Sequence, residues 1–183
     1  MKTSSQIMIK PFGSICNLGC RYCFYLEKKS LYKNASSFHM SPEVLDSFIR
    51  QYVESQDVPE VLFAWQGGEP TLLDIDFYRT VVTLQKKYAG GKKISTSIQT
   101  NGTLLNDEWC EFLSSNDFLV GLSIDGPREL HDHYRKDKNG KPSFDAVMQG
   151  VEYLKKHGTQ FNTLTVINDR NSLYPLETYR FLK

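Results

Sequence analysis

Apolar and polar positions along this chain switch between two periods, and the switching reads as a series of strand-and-helix pairs. Ile7 to Phe12 is expected to form a first strand. From Ser41, an N-cap serine, Pro42 at the first helical position and Glu43 in the first turn signal a helix whose stripe is Val44, Leu45, Phe48, Ile49, Tyr52 and Val53. Val61 to Trp65 is a continuous apolar run, the pattern of a parallel strand covered on both faces, and Gln66-Gly67-Gly68-Glu69-Pro70 breaks it. A second helix is expected from about Asp76 to Tyr88, ended by Gly90-Gly91. Lys93 to Gln99 sets Ile94, Thr96 and Ile98 against polar neighbours, a third strand that Asn101-Gly102 halts. Asn106 caps a short helix through Leu113, Phe118 to Ser123 makes a fourth strand, and Asp125-Gly126-Pro127 stops it. Ser143 opens a helix with Phe144, Val147, Val151 and Leu154 on one side and His157-Gly158 at its end. Phe161 to Ile167 is a fifth strand and Leu173 to Leu182 a final helix.

Five β-then-α units in a row predict an α/β fold with a parallel sheet, helices outside, curved toward a TIM-like barrel. In such folds the ligand lies at the carboxyl ends of the strands, where loops from separate units converge. Each unusual stretch falls at such an end: C-N-L-G-C-R-Y-C after the first strand, Q-G-G-E-P after the second, Q-T-N-G-T after the third and S-I-D-G-P after the fourth. That coincidence weighs more than any one motif, because Gly-Gly-Glu-Pro alone is ordinary turn chemistry. The coil from Glu27 to Met40 is the longest irregular segment and reads as a surface loop over the site.

Bulk properties narrow the field. A chain of 183 residues with 40% hydrophobic content can bury a sizeable core as one domain, residues 1–183. A net charge of +1 gives no field for nucleic acid or anionic lipid, and no basic stripe with interleaved aromatics is present. Residues 1–15 lack an apolar signal segment, and no later run approaches the ~20 residues that span a bilayer. A cytoplasmic, membrane-free location is expected, which suits cysteines kept reduced.

Those cysteines carry the chemistry. Cys16, Cys20 and Cys23 have the spacing C-x3-C-x2-C, and three thiolates can hold three irons of a [4Fe-4S] cube while leaving the fourth open to a reactive ligand. A zinc knuckle, a disulfide plus a spare thiol, and three buried structural cysteines are the other readings. Zinc wants a fourth ligand at motif spacing, and none follows before His39. Cys110, beside Trp109, Phe112 and Leu113, reads as a small buried hydrophobe. His131 and His133 diverge on a loop or helical turn and are not read as metal ligands. Asp125 reads first as turn chemistry.

With Tyr22 just before the last cysteine, the loop resembles that of the radical S-adenosylmethionine (SAM) enzymes. The resemblance implies a (β/α)6 TIM-like radical SAM barrel, here partial and truncated after about five βα units. It also implies that SAM chelates the open iron and that one electron cleaves it to methionine and a 5′-deoxyadenosyl radical. By the same resemblance, Gly68 makes a backbone contact to the SAM amino group and Glu69 supports it with a carboxylate suited to an ammonium. Ser123 hydrogen-bonds SAM, and Arg135 pairs with its carboxylate through a guanidinium fork. Gly67 and Gly68, having no side chains, let backbone approach the ligand.

The stretches C-N-L-G-C-R-Y-C-F-Y, F-A-W-Q-G-G-E-P-T-L, S-I-Q-T-N-G-T-L-L and F-L-V-G-L-S-I-D-G-P-R-E-L-H-D-H-Y-R-K-D are similar to the anaerobic sulfatase-maturating enzymes. Those oxidise a cysteine or serine of a sulfatase polypeptide to Cα-formylglycine, drawing electrons from a donor such as a flavodoxin or ferredoxin. Tyr25 and Gln66 would then face the substrate side chain. The family's C-terminal extension, with further cysteines for auxiliary clusters and an acidic general base, has no counterpart here, so a truncated chain or partial gene product is expected. Two alternatives stand beside this reading. One is a radical SAM maturase that crosslinks ribosomal peptides; the other is a non-catalytic iron-sulfur or zinc binding module.

Overall fold

The computed structural model describes residues 4–28 and 39–183. Five strands, β1 (Ile7–Ile9), β2 (Glu60–Trp65), β3 (Lys93–Thr100), β4 (Phe118–Ser123) and β5 (Phe161–Leu164), form one parallel sheet in sequential order. Helices α1 (Pro42–Glu54), α2 (Ile75–Tyr88), α3 (Asp107–Ser115), α4 (Arg128–Tyr134) and α5 (Phe144–Lys156) fill the connections, and α6 (Pro175–Leu182) follows β5. Sequential order with right-handed crossovers, the rule for βαβ units, puts the connecting helices on one side of the sheet, as in an arc of a barrel.

One hydrophobic core lies between that sheet face and the helices. Val61, Phe63 and Trp65 of β2 and Val120 and Leu122 of β4 meet Leu45 and Ile49 of α1, Tyr78 and Val81 of α2, and Val147 and Leu154 of α5. The other sheet face is bare: Leu62, Leu119 and Leu164 are 42, 40 and 48% exposed. β2 is therefore covered on one side only. Its unbroken apolar run arises because the lumen side of a barrel strand is apolar too.

Local signals explain the helix starts. Ser41 accepts a hydrogen bond from the Val44 N–H, Asp74 caps α2 through the Asp76 N–H, and Asn106 caps α3 through the Trp109 N–H. Three expectations need correction. Val44 lies off the α1 stripe at 54% exposure, while Leu45, Ile49, Tyr52 and Val53 are buried. β1 is shorter than expected because the chain turns over residues 10–14, where the Gly13 N–H donates to the Lys10 carbonyl. β5 stops at Leu164 because the Val166 N–H leaves the ladder for the Asp125 carboxylate at 3.1 Å. Most of the coil between Glu27 and Met40 lies outside the described residues. No helix among the described residues is long and apolar enough to cross a membrane.

Candidate functional site

The loop after β1 is pinned from two sides. Toward β2, the Gly68 and Glu69 N–H groups donate to the carbonyls of Gly13 and Ile15 at 2.9 and 2.8 Å. Toward α4, the Gly19 and Arg21 N–H groups donate to the carbonyls of Lys136 and Tyr134. This close passage is what the glycines permit. A Cβ on Gly68 would sit 2.0 Å from the Ile15 carbonyl oxygen, and one on Gly67, at φ +133°, 2.7 Å from that of Gly13. The glycine turn thus makes room first for the cysteine loop rather than for a ligand. Gly68 gives its N–H to Gly13, and its carbonyl is the one backbone group there that can accept from an ammonium.

Pinned in this way, Cys16, Cys20 and Cys23 line one cavity of about 430 Å³ at the carboxyl ends of the strands. The same cavity is lined by Tyr22, Tyr25, Gln66, Gly68, Ser123 and Arg135, so nearly every residue singled out from sequence meets there. All three cysteines are free thiols, as is Cys110, which is fully buried in the core. Burial pushes the Cys16 thiol pKa up, with the charges of Glu69 and Cys23 adding to it, and pushes that of Cys20 to about 11, with Cys16 and Cys23 adding and the nearby Arg135 cation working against the shift. Among the described residues, no three His, Cys, Asp or Glu side chains close on a single ion. A zinc site needs that, with thiolates about 2.3 Å from one metal, whereas a cube gives each thiolate its own iron.

Glu69 is the exception among the predicted residues. Its side chain is 0% exposed and faces away from the cavity into four donors. The Thr71 N–H and hydroxyl and the Thr100 hydroxyl reach Oε1 at 3.0, 2.7 and 2.7 Å, and the Asn101 N–H reaches Oε2 at 2.7 Å. Burial raises its pKa while these donors pull it back. Through these bonds the carboxylate locks the end of β2 to the end of β3.

Asp125 plays the larger part that the sequence did not disclose. Fully buried, it accepts a short hydrogen bond from the Tyr22 hydroxyl and one from the Val166 N–H, and its Oδ2 lies 3.0 Å from Arg135 Nε. That Nε–H is not aimed at an acceptor, so the contact is an ion pair rather than a hydrogen bond. Arg135 also lies over the Tyr22 ring, 5.5 Å from its centroid. Burial works against the Arg135 charge, but Asp125, joined by Tyr22 and Cys20, offsets it and the pKa lies above the usual arginine value. Tyr22, pushed well above an ordinary phenol by burial and by its bond to Asp125, stays protonated.

Behind this group sits His131, 0% exposed. Its Nδ1 accepts from the Asp125 N–H at 3.4 Å, which leaves the proton on Nε2 to donate to Ser143 Oγ at 3.0 Å. Ser143 in turn donates to the Arg135 carbonyl at 2.8 Å. On the lumen side, Gln99 Nε2 donates to Ser123 Oγ at 3.0 Å, and a Cβ on Gly121 would lie 2.1 Å from Gln99 Oε1. Gly121 in the middle of β4 was a sequence signal of a close approach, but the register that sets Gln99 of β3 beside it was not legible.

Fold and cavity together define a βα-barrel type of protein that presents a cysteine triad and a buried arginine at the carboxyl ends of its strands. The chain belongs to the radical SAM superfamily, whose sequence profile matches residues 11–182. It is 56% identical over 177 residues to the serine-type anaerobic sulfatase-maturating enzyme of Bacteroides thetaiotaomicron, an alignment covering 97% of this chain and 43% of that one. To a cysteine-type anaerobic sulfatase-maturating enzyme of Clostridium perfringens it is 41% identical over 180 residues, covering 97% and 48%. The solved structure of native anSMEcpe with bound AdoMet and Cp18Cys peptide superposes with a TM-score of 0.87 at 40% identity, covering 96% of this chain and 46% of that one. The chain thus spans a little under half the length of these relatives. The superfamily's cofactors are a [4Fe-4S] cluster and SAM. Three free thiols on one cavity wall, with a buried guanidinium lining the same space, fit that pair.

Proposed function

We propose that Cys16, Cys20 and Cys23 hold a [4Fe-4S] cluster and that the same cavity seats SAM, in an enzyme that oxidises a cysteine or serine of a sulfatase polypeptide to Cα-formylglycine. Residues 1–183 supply the cluster and SAM side of that activity. The observation that carries the reading is the single cavity in which the cysteine triad, Gly68, Ser123 and Arg135 converge. When bound, the pair supplies one-electron cleavage of SAM and, from it, hydrogen-atom abstraction. The chain's own residues bind and orient. The Gly68 carbonyl accepts from the SAM ammonium, Arg135 takes the carboxylate, and Ser123, its oxygen already accepting from Gln99, keeps its own proton to donate. Tyr22 is fixed by Asp125 beneath the cluster loop, and Tyr25 and Gln66 face the substrate side chain. The sulfatase-maturating names and peptide-bound structure of the relatives support this choice over a crosslinking maturase.

Anaerobic reconstitution tests the reading. The expected result is about four irons per chain, with reductive formation of 5′-deoxyadenosine abolished by Cys→Ala at position 16, 20 or 23. Stoichiometric zinc and no 5′-deoxyadenosine would overturn it in favour of a binding module. SAM cleavage with no aldehyde formed from either the cysteine or the serine form of a sulfatase peptide, assayed with a chain extended to its relatives' length, would favour the crosslinking class.

A further inference from the structure

We infer that Asn101 is a hydrogen-bond donor to the sulfur of one cluster ligand, Cys16, and that it sets the potential at which the cluster takes up its electron. This rests on the cluster reading above and adds a residue to it. Asn101 Nδ2 lies 3.7 Å from Cys16 Sγ, within range for a sulfur acceptor, and the Leu18 N–H reaches the same sulfur at 3.3 Å. Among the described residues, no side-chain N–H is found donating to the sulfur of Cys20 or Cys23, so the donors gather on one ligand.

The orientation of the Asn101 amide is forced. Its Oδ1 accepts from the Thr103 N–H at 3.0 Å and the Thr103 hydroxyl at 2.7 Å, and a backbone N–H can only donate. The amide oxygen must face Thr103, which turns the NH2 toward the sulfur. Its other proton goes to Asn17 Oδ1 at 2.8 Å, and Asn17 is itself held by Thr103 Oγ1. Asn101 is 6% exposed, and its own N–H is tied to Glu69. A donor clamped at every other atom has little freedom to turn away. Asn17 Oδ1 also lies 3.8 Å from the sulfur as an acceptor for the thiol proton, a contact that vanishes once the sulfur is a thiolate.

Hydrogen bonds to a cluster's sulfurs stabilise the more negative, reduced state and so raise the reduction potential. The strands bring Asn101 here from the Q-T-N-G-T stretch, 85 residues from its partner.

The test is potentiometry followed by electron paramagnetic resonance on the reconstituted full chain, wild type beside Asn101→Ala and Asn101→Asp. The aspartate keeps the clamp to Thr103 and replaces the donor with an oxygen facing the sulfur. Asn101→Ala is expected to load iron like the wild type and to reduce at a more negative potential, with Asn101→Asp more negative still. Equal potentials in the loaded proteins would overturn the inference alone. Loss of the cluster from both variants while the wild type loads would overturn it in favour of a structural brace. A wild type that takes up no cluster would sink the cluster reading, and this inference with it.

Discussion

Two carboxylates are wholly buried at the rim of this sheet, and they are satisfied in opposite ways. Glu69 accepts four neutral donors from the ends of β2 and β3 and, among the described residues, is in no ion pair. Asp125 has a buried arginine, a tyrosine hydroxyl and one backbone N–H, which join the cysteine loop, β4, β5 and α4. The contrast separates two jobs. Neutral donors spread over one carboxylate make a brace between strand ends, although its charge still reaches the Cys16 thiol. A carboxylate paired with a cation that lines the cavity decides instead where a positive charge is held ready for an anionic ligand group.

Removing the charged partner should therefore do the most damage. Asp125→Ala leaves Arg135, whose side chain is 8% exposed, as an uncompensated buried charge and strips an acceptor from Tyr22 and Val166. A loss of about 3–5 kcal/mol of stability is expected, read from the midpoint of denaturant unfolding. Arg135→Met added to it should restore much of that loss, because a buried pair replaced by apolar groups is close to neutral. A double variant no more stable than the single one would show that the damage comes from the lost hydrogen bonds rather than from the stranded charge.

Next comes acid, through His131 behind the same pair. Burial, helped by Arg135, lowers its pKa from 6.5 to about 4, against the weaker opposite pull of Asp125 and Asp132. The unfolded chain therefore binds this proton first as pH falls, and stability drops between about pH 6.5 and 4 by up to ~1.4 kcal/mol per pH unit, on the order of 3 kcal/mol in all. Above pH 6.5 the contribution is complete. Urea unfolding of the wild type and of His131→Gln across that range should show the gap between them narrowing toward low pH. A gap independent of pH would mean that the imidazole is not held neutral.

How much of this was legible beforehand follows from the range of each interaction. Cysteine spacing, N-caps at Ser41 and Asn106, and glycine turns are local, and the elements and the cavity's membership came from them. Asp125 was hidden because Asp-Gly-Pro is ordinary turn chemistry, while the Tyr22 hydroxyl it accepts lies 103 residues away. The bracing bonds of Glu69 were hidden for the same reason, since its partners at the end of β3 are 31 and 32 residues on. Val44 has the right hydrophobicity for the α1 stripe but lies at its edge, and periodicity cannot say how wide a stripe the core covers. The bare face of β2 was invisible because a lumen-facing position and a helix-covered one are both apolar.

The smallest expected effect falls on the brace, and it sharpens the contrast with Asp125. In Glu69→Gln the side-chain oxygen can keep the three donors now on Oε1, which leaves the new amide nitrogen facing the Asn101 N–H. Two donors then oppose each other in a buried space, at a cost of about 1–3 kcal/mol. Because burial already raises the pKa of this carboxyl, part of that cost is offset by no longer holding a buried negative charge. The unfolding midpoint should therefore fall by less than in Asp125→Ala, and SAM affinity of the loaded protein should change little, since Asn101 stays anchored through Thr103. If Glu69→Gln instead weakened SAM binding severalfold while unfolding at the wild-type midpoint, the brace would have to be reassigned as part of the ligand site.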